Sequence, residues 1–297
     1  MERPYVLHMF TPGKQMSPFD VNMAADAGWQ IIVPYGEVGA DAIGAMTQDT
    51  IFSRGPKGAL RSGIFIGGRD VMLAQDMADK ARAAMFEPFV VSLMADPSGA
   101  FTTAAAMVAC VDAALLRAHG AGLAQRRVMI VGGTGPVGRI AGVMAAQLGA
   151  VVTLAGRSAT SSAQAARETG ERFGVALQGG SVGDRSLLAA ADVVLACATA
   201  GVQVLGEEDL AAATQLKVAA DVNAVPPAGI AGLGVMDDGK PLPGSSALGI
   251  GALAIGNIKY QTQQRLLVQM RGADKAVVLS FPQAFAVARA FLAETAA

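Results

Sequence analysis

The chain has few of the residues that metal sites, disulfides and histidine-dependent catalysis require. Its 297 residues include two cysteines, Cys110 and Cys197, and two histidines, His8 and His119. Each cysteine lies in an apolar segment without a second cysteine or a histidine at ligand spacing, which predicts buried thiols. The scarcity of histidine disfavours zinc chemistry and histidine-based nucleophilic catalysis. We therefore predict no metal site and no acid or base residue of the histidine type.

A charge surplus and a membrane-spanning run are also lacking. The 23 basic and 24 acidic residues leave a net charge of -1, without the basic surplus that nucleic-acid binding needs. The N-terminus lacks the apolar stretch and cleavage site of a secretion signal. Uncharged runs at residues 140–156 and 193–206 are interrupted by glycine and polar residues and fall short of a membrane span. We expect a cytoplasmic protein with neither a nucleic-acid nor a membrane partner.

Apolar residues are abundant, and their pattern predicts an α/β protein. They make up 52% of the chain, against 16% charged and 5% aromatic residues, which suits parallel strands covered by alanine-rich helices. Short β-rich runs alternate with helical patterns, as in βαβ units. Strands are predicted at residues 5–10, 30–33, 62–66, 89–94, 127–131, 151–155, 193–196 and 216–220, with 276–279 as a late edge strand.

A glycine-rich turn follows the predicted strand at residues 127–131. It consists of Gly133, Thr134, Gly135, Pro136, Val137 and Gly138 and opens a helix that reaches residue 148. Glycines at this spacing let backbone amides approach a pyrophosphate, and the helix N-terminus adds partial positive charge. Pro136 suits the first helical position, where its missing N–H has no helical partner. The turn predicts a dinucleotide site; the alternative is a glycine-rich turn that binds nothing.

The choice of nucleotide is predicted by the end of the next strand. Arg157 and Ser158 follow the strand at residues 151–155, and no Asp or Glu occurs from residue 151 to 166. An acid at this point binds the ribose hydroxyls of NAD, whereas an arginine accommodates the 2′-phosphate of NADP. We predict NADP, with NAD possible; the alternative for Arg157 is a solvated loop residue. Ala200, Gly201 and Asn223 follow later strands and are predicted to line the nicotinamide, although Asn223 can instead satisfy local backbone.

Two parallel-sheet domains with a cleft between them are predicted. The residues at 123–259 form a Rossmann-type nucleotide domain, and residues 1–122 plus 260–297 form an open α/β substrate domain. A helical stretch at 102–118, followed by Gly120 and Gly122, connects them. The Pro/Gly-rich segment at 225–246 is long enough to line a site.

Sequence strings in both halves resemble the NAD(P)-dependent methylene-tetrahydromethanopterin dehydrogenases of one-carbon (formaldehyde) oxidation. The likeness covers nearly the whole chain, from Tyr5 to the final helix. The strings are HM at 8–9, MSPFDVNM at 16–23, FSR at 52–54, ADPSGAFTTAAA at 95–106, ADVNAVPPAGI at 220–230 and ALGIGALAIG at 247–256.

The resemblance implies oxidation of a methylene carbon on a reduced pterin to a methenyl cation, with hydride passing to NAD(P)+. Two flanking nitrogens delocalise the positive charge, so no proton need be removed, and a site without a histidine base suits this reaction. Some relatives accept both nucleotides and some accept tetrahydrofolate. Together with the apolar composition, the resemblance favours a homo-oligomer.

Substrate contacts are predicted on the loops and helix starts of the first half. Asp20 and Asp96 are candidate carboxylates for the developing cation, although Asp20 is equally suited to a first-turn role beside the Ser17 cap, and Asp96 to a turn. Phe101, Thr102 and Thr103 begin the connecting helix and are predicted to contact the pterin; the alternative is a plain helix start with a core phenylalanine. Lys14 and Lys259 are predicted to position the pterin or the carboxamide, against the commoner outcome of solvated lysines.

Three other functions remain open from sequence. One is an NADP-dependent methylene-tetrahydrofolate dehydrogenase, and the second is a dehydrogenase of the shikimate type, which needs a lysine and an aspartate acting as a pair. The third is a non-catalytic NADPH-binding sensor. Turnover on each pterin with each nucleotide separates these functions.

Overall fold

The computed structural model describes residues 3–296, which form alternating strands and helices. The strands are β1 (Val6–Phe10), β2 (Ile31–Tyr35), β3 (Ser62–Ile66), β4 (Ser92–Ala95), β5 (Arg127–Val131), β6 (Val151–Gly156), β7 (Gln178–Ser181), β8 (Val193–Ala196), β9 (Val218–Asp221), β10 (Asp238–Pro241), β11 (Leu248–Ile250) and β12 (Val278–Leu279). The α-helices are α1 (Pro18–Asp26), α2 (Ile43–Phe52), α3 (Gly55–Ala59), α4 (Val71–Ala83), α5 (Ala100–His119), α6 (Pro136–Gln147), α7 (Ala159–Phe173), α8 (Arg185–Ala190), α9 (Glu207–Ala212), α10 (Ala252–Gly272) and α11 (Phe281–Ala296).

Contacts divide the chain into two compact units. Unit 1 comprises the chain up to Thr102 together with Tyr260–Val287, and unit 2 comprises Thr103–Lys259 together with the chain from Ala288. The sequence prediction placed the first boundary after residue 122, at the other end of α5. In the structure nearly all of α5 belongs to unit 2.

Unit 1 contains a five-stranded sheet in the order β12-β4-β3-β1-β2. Every neighbouring pair is parallel, as the alternating pattern predicted. All five residues of β3 are buried, because a strand inside a parallel sheet is covered on both faces. The edge strand predicted at residues 276–279 is present as β12, which pairs with β4. The carboxyl ends of the strands therefore share one edge, from which the loops after β1, β3 and β4 extend.

Unit 2 contains a seven-stranded sheet in the order β10-β11-β9-β8-β5-β6-β7. Six neighbouring strands of this sheet are parallel, in the order β11-β9-β8-β5-β6-β7 that is typical of a doubly wound nucleotide-binding fold. The edge strand β10 pairs antiparallel with β11. The order changes direction at β5, so the loops after β5 and β8 diverge there. Ligands bind at such a point in open α/β sheets.

Helix α5 is a core helix of unusual apolarity. The segment Pro97–His119 is long and apolar enough to cross a membrane by length and composition, a property that the sequence analysis did not assign to any segment. In the structure 83% of its most apolar window is buried. Most of its alanines and aliphatic side chains, among them Ala104, Met107 and Val111, are fully covered, whereas Leu116 near its end is exposed. Length and composition alone are weak evidence for a membrane span, and this burial is that of a core helix.

Three strands were missing from the sequence prediction. They are β7, β10 and β11, with sequences QGGS, DGKP and LGI. Glycine and proline weaken the strand signal. In β7 the glycine is required, because a Cβ at Gly179 would collide with the backbone of α7 at Ser162 and Ala163. Close packing against α7 therefore requires glycine in this strand, and glycine gives no β-strand signal in the sequence.

Candidate functional site

The glycine turn of unit 2 is shaped by close backbone approaches. Gly132 adopts a φ of 76°, and a Cβ there would lie 2.6 Å from the carbonyl oxygen of Cys197. A Cβ at Gly133 would lie 2.7 Å from the Cα of Leu154, and one at Gly138 would lie 2.7 Å from the Cα of Gly133. These distances are shorter than side chains tolerate, so the turn folds tightly against β6, β8 and the start of α6.

The start of α6 offers amides to a ligand. Gly135 is the N-cap residue with an extended backbone, and Pro136 takes the first helical position as predicted. The amides of the first helical turn have no partner within a helix, and the helix dipole gives this end partial positive charge. Thr134 and Pro136 are exposed, whereas Gly133 and Gly138 are buried. The space left by the missing side chains of the glycine turn, together with the amides of the first turn of α6, fits the pyrophosphate of a dinucleotide.

Arg157 and Ser158 lie at the carboxyl end of β6, beside this turn. Both are exposed, and the Ser158 hydroxyl caps α7 by accepting a 3.3 Å hydrogen bond from the amide of Ser161. A Cβ at Gly156 would lie 3.5 Å from Cγ2 of Thr134, which places the end of β6 against the glycine turn. An exposed guanidinium here suits a ribose 2′-phosphate.

Asn223 organises the loops after β8 and β9. Its Oδ1 accepts hydrogen bonds from the amides of Gly201 at 3.1 Å and Val225 at 2.9 Å, and its Nδ2 donates to the carbonyl of Pro227 at 2.9 Å. Asn223 is buried, so its side chain satisfies local backbone, which was the alternative considered from sequence. Ala200 is exposed and Gly201 half-buried on the loop that Asn223 ties down.

Two groups at this loop edge, Asp221 and Cys197, have altered pKa values. Burial raises the pKa of Asp221, although the amides of Asn223, Gly229 and Ile230 donate to its carboxylate and oppose the rise. Burial, reinforced by the charge of Asp221, raises the pKa of the Cys197 thiol to about 12. The raised pKa keeps this thiol protonated. Cys110 is buried as predicted, whereas Cys197 as a residue is only half-buried. Among the described residues no cluster of histidine, cysteine and acidic residues is arranged to hold a metal ion.

Unit 1 has a cavity of 680 Å³ at the carboxyl edge of its sheet. The loops after β1, β3 and β4 line it. Two predicted substrate residues, Lys14 and Asp20, are among its walls. The other lining residues are Thr11, Pro12, Gly13, Gln15, Met16, Ser17, Pro18, Gly68, Arg69, Asp70 and Ser98.

Asp20 is a buried carboxylate in the wall of this cavity. It is 2% exposed and accepts a 2.8 Å hydrogen bond from Nε2 of Gln263. Ser17 is the N-cap residue of α1, but its side chain makes no capping hydrogen bond. The capping hydroxyl expected from sequence is therefore wrong: Ser17 contributes backbone geometry, and its carbonyl accepts from the amide of Val21.

Asp96 and the residues after it form the start of α5. The Asp96 carboxylate accepts from the amides of Phe101 at 2.9 Å and Thr102 at 3.1 Å, and from the Thr102 hydroxyl at 2.7 Å. Asp96, Phe101 and Thr102 are fully buried. The Phe101 ring packs edge to face on Phe281, with ring centres 5.6 Å apart. These groups therefore have structural partners, which matches the alternatives considered from sequence; their contact with a pterin stays a prediction.

Lys14 is exposed in the wall of the cavity. Thr103, half-buried on α5, and Lys259, half-buried on α10, are not among the residues that line it. The cavity also contains Arg69, Asp70 and Ser98, which the sequence analysis missed. Their signal was the position of Gly67 and Gly68 directly after a buried strand, where a tight carboxyl-end loop approaches a ligand. Ser98, with a φ of 50°, donates a 2.7 Å hydrogen bond to the carbonyl of Gly68 and joins two of these loops.

Solved structures of similar fold include dehydrogenases. The chain is similar to quinate dehydrogenase from Corynebacterium glutamicum in complex with NAD, with 13% identity, a TM-score of 0.52 and coverage of 98% of this chain and 99% of that chain. It is similar to shikimate 5-dehydrogenase from Listeria monocytogenes, with 11% identity, a TM-score of 0.52 and coverage of 92% and 93%. At these identities the likeness shows the fold alone. Fold and glycine turn together define a Rossmann-type dinucleotide-binding protein.

Sequence comparison then identifies the family. The family model described as the N-terminal part of methylene-tetrahydromethanopterin dehydrogenase matches residues 18–98. The chain is 46% identical over 288 residues to NAD(P)-dependent methylenetetrahydromethanopterin dehydrogenase of Methylorubrum extorquens AM1, covering 95% of this chain and 97% of that protein. It is 32% identical to the bifunctional protein MdtA of the same organism over 276 residues, covering 92% and 94%. The chain belongs to the NAD(P)-dependent methylenetetrahydromethanopterin dehydrogenase family, which confirms the resemblance stated from sequence.

Proposed function

We propose that this protein oxidises the methylene carbon of methylene-tetrahydromethanopterin to the methenyl cation, transferring a hydride to NADP+ and less readily to NAD+. The observation that carries the proposal is 46% identity, along nearly the full length of both chains, to an enzyme named for this reaction. The tight glycine turn at the start of α6 supports the nucleotide half of the reaction.

The nucleotide is held by unit 2. The amides at the start of α6 bind the pyrophosphate, and Arg157 pairs with the 2′-phosphate that distinguishes NADP from NAD. Ser158, Ala200 and Gly201 border this surface, and Asn223 fixes the loop that carries Gly201. When bound, the nicotinamide ring accepts the hydride. The absence of an acid from residue 151 to 166 supports a preference for NADP over NAD.

The pterin is held by unit 1, in the cavity at the carboxyl edge of its sheet. Its volume of 680 Å³ lies within the range of about 300–1,000 Å³ that small-molecule sites occupy. Asp20 offers a buried negative charge to the cation that forms, and Lys14 offers a donor to pterin oxygens. The nitrogens beside the reacting carbon delocalise the new charge, so these residues bind and stabilise, and no residue has to remove a proton.

Steady-state assays with purified full-length protein test the proposal. Methylene-tetrahydromethanopterin and methylene-tetrahydrofolate are each combined with NADP+ or NAD+, and reduced nucleotide is followed by absorbance. We expect the highest kcat/KM with the methanopterin substrate and NADP+. Preference for the folate substrate would assign the protein to the folate reaction, and tight NADPH binding without turnover on either pterin would support the sensor. We further propose a homo-oligomer in the cytoplasm, without a nucleic-acid or membrane partner; light scattering of the purified protein tests the assembly.

A further inference from the structure

A second cavity of unit 1 lies at the opposite edge of the same sheet. It has a volume of 620 Å³ and is formed by the segment before β1 and by the chain from the end of α2 to the start of β3. Arg3 precedes β1 and Arg61 precedes β3, so the cavity lies at the amino ends of these strands. The cavity with Lys14 and Asp20 lies at their carboxyl ends. The two cavities are therefore distinct sites of one unit.

Positive charge is concentrated in this second cavity, which we call the arginine cavity. Four of its seven lining residues are cations, namely Arg3, Arg54, Lys57 and Arg61, and none of the described residues that line it is acidic. The chain as a whole has a net charge of -1. The cluster is therefore a local feature, which the composition of the chain does not explain.

The backbone holds the guanidinium groups of the arginine cavity in place. Nη1 of Arg54 donates to the carbonyls of Pro4 at 2.9 Å and Arg61 at 3.1 Å, and to the Ser62 hydroxyl at 3.3 Å. Nη1 of Arg61 donates to the carbonyl of Arg3 at 2.6 Å, and Nη1 of Arg3 donates to the carbonyl of Arg54. The acceptors of Arg54 are neutral oxygens, which anchor this guanidinium group without neutralising its charge.

Packing keeps the cations close together despite their repulsion. A Cβ at Gly58 would collide with the Arg3 guanidinium, so Gly58 leaves the space that Arg3 occupies. Burial, followed by the charges of Arg3 and Arg61, lowers the pKa of Arg54. The Arg61 guanidinium lies 4.6 Å from the centre of the Tyr5 ring, a cation–π contact that fixes its plane. A bound anion would relieve the repulsion that the fold maintains.

We propose that the arginine cavity binds a small phosphate-bearing anion, at a site separate from both the pterin cavity and the glycine turn. Arginine forks match the oxygens of phosphate and bind them through pairs of charge-assisted hydrogen bonds. Lys57, exposed on α3, adds a point charge. The cations line a concavity and do not form the extended stripe that a nucleic-acid backbone requires, so the ligand is a small molecule carrying one or two phosphates.

Calorimetric titration of the full-length protein with pyrophosphate, at ionic strength held constant with chloride, tests this site. Repeating the titration with saturating NADP+ removes any contribution from the glycine turn of unit 2. We expect pyrophosphate binding to persist with NADP+, to weaken about tenfold in Lys57→Gln, and to weaken further in the double variant Arg3→Gln/Lys57→Gln. Inorganic phosphate in place of pyrophosphate distinguishes a site for one phosphate from a site for two.

The matched control is Lys80→Gln, which removes one exposed positive charge from α4 outside the cavity. It should bind pyrophosphate like the unaltered protein. The proposal is overturned if pyrophosphate gives no binding beyond the chloride control, or if Lys57→Gln and Lys80→Gln bind equally to the unaltered protein. Circular dichroism checks the fold of the double variant; should that variant misfold, the exposed Lys57→Gln change decides alone.

Discussion

Arg139 and Thr134 are joined by a 3.1 Å hydrogen bond, in which Nε of the arginine on α6 donates to the backbone carbonyl inside the glycine turn. Nη1 of the same side chain reaches the Glu168 carboxylate at 3.2 Å and the Thr169 hydroxyl at 3.1 Å on α7. One side chain therefore links the turn to two helices. If the amides of this turn bind the pyrophosphate, as proposed, Arg139 is a positioning residue for the nucleotide.

Replacing Arg139 with glutamine should weaken NADP+ and NAD+ to a similar extent, by about tenfold in Kd. The reason is that the pyrophosphate, for which the turn is the proposed site, is common to both nucleotides. The control is Glu168→Gln, which leaves the bond from Arg139 to Thr134 and should change either Kd by less than about threefold, as for an exposed ion pair. Loss of NADP+ affinity alone in Arg139→Gln would contradict a positioning role and indicate direct contact with the 2′-phosphate. Fluorescence titration measures all four constants.

Replacing Arg157 with glutamate should weaken NADPH far more than NADH. The change removes the cation proposed for the 2′-phosphate and puts a carboxylate where NAD enzymes place one for the ribose hydroxyls. We expect NADPH to weaken about a hundredfold and NADH less than about threefold, since charge-assisted bonds to phosphate are strong and the added acid repels it. Arg167→Glu, at an exposed position on the following helix α7, is the charge control. Equal loss of both nucleotides, or no loss, would mean that Arg157 is a solvated loop residue.

The nucleotide half was readable from sequence because its signals are local. The glycine turn, Pro136 and the flanking strands occupy one short segment, so spacing alone placed them together. The cavity of unit 1 was harder, because three separate loops form it. The sequence around Asp20 predicted the start of a helix. Its hydrogen-bond partner Gln263 is 243 residues away along the chain, and a local sequence pattern cannot predict such a pair. Phe101 and Thr102 were read as site residues, although Asp96 and Phe281 bury them in a helix start.

Replacing Asp20 with asparagine should remove the negative charge of this residue and keep its hydrogen bond with Gln263. Asparagine keeps an oxygen that can accept from Nε2 of Gln263, so the fold should survive. If the carboxylate stabilises the developing cation, kcat/KM for the pterin should fall by about a hundredfold, as for removal of one preorganised electrostatic partner, with the Kd for NADP+ unchanged. The control is Asp26→Asn, an exposed residue at the end of the same helix. An Asp20→Asn enzyme with unaltered kcat/KM would exclude an electrostatic role for this residue.

Replacing Asp96 with alanine should destabilise the protein by about 2 to 3 kcal/mol, because two amides and one hydroxyl lose a buried acceptor. Urea unfolding followed by circular dichroism gives the free energy. Asp70 is the matched comparison, since it caps α4 by accepting from the amides of Met72 and Leu73 but is exposed. Asp70→Ala should cost about 1 kcal/mol. An equal loss in the free energy of unfolding for the two variants would show that burial of Asp96 does not increase its contribution to stability.

Asp192, at the amino edge of the sheet in unit 2, should make the free energy of unfolding depend on pH in the acid range. Asp192 accepts from the Arg127 amide at 3.0 Å and from Nζ of Lys217 at 2.5 Å, and so connects β5, β8 and β9. Burial raises its pKa, but the Arg127 amide and the Lys217 ammonium, with a smaller contribution from Arg126, outweigh burial and leave the pKa below its ordinary value of 3.8.

A lowered pKa in the folded state means that the unfolded chain takes up the proton first as the pH falls. The contribution of Asp192 is therefore fully present above the unfolded value of 3.8 and is lost as the pH falls through the folded value. Asp192→Asn should lower the free energy of unfolding at pH 7 and flatten its decline between about pH 4 and pH 2. Urea unfolding at each pH measures this, with the exposed Asp49→Asn as the control. Asparagine cannot take up a proton in this pH range. If the free energy of unfolding of Asp192→Asn still declines with falling pH as in the unaltered protein, other carboxylates cause the acid sensitivity.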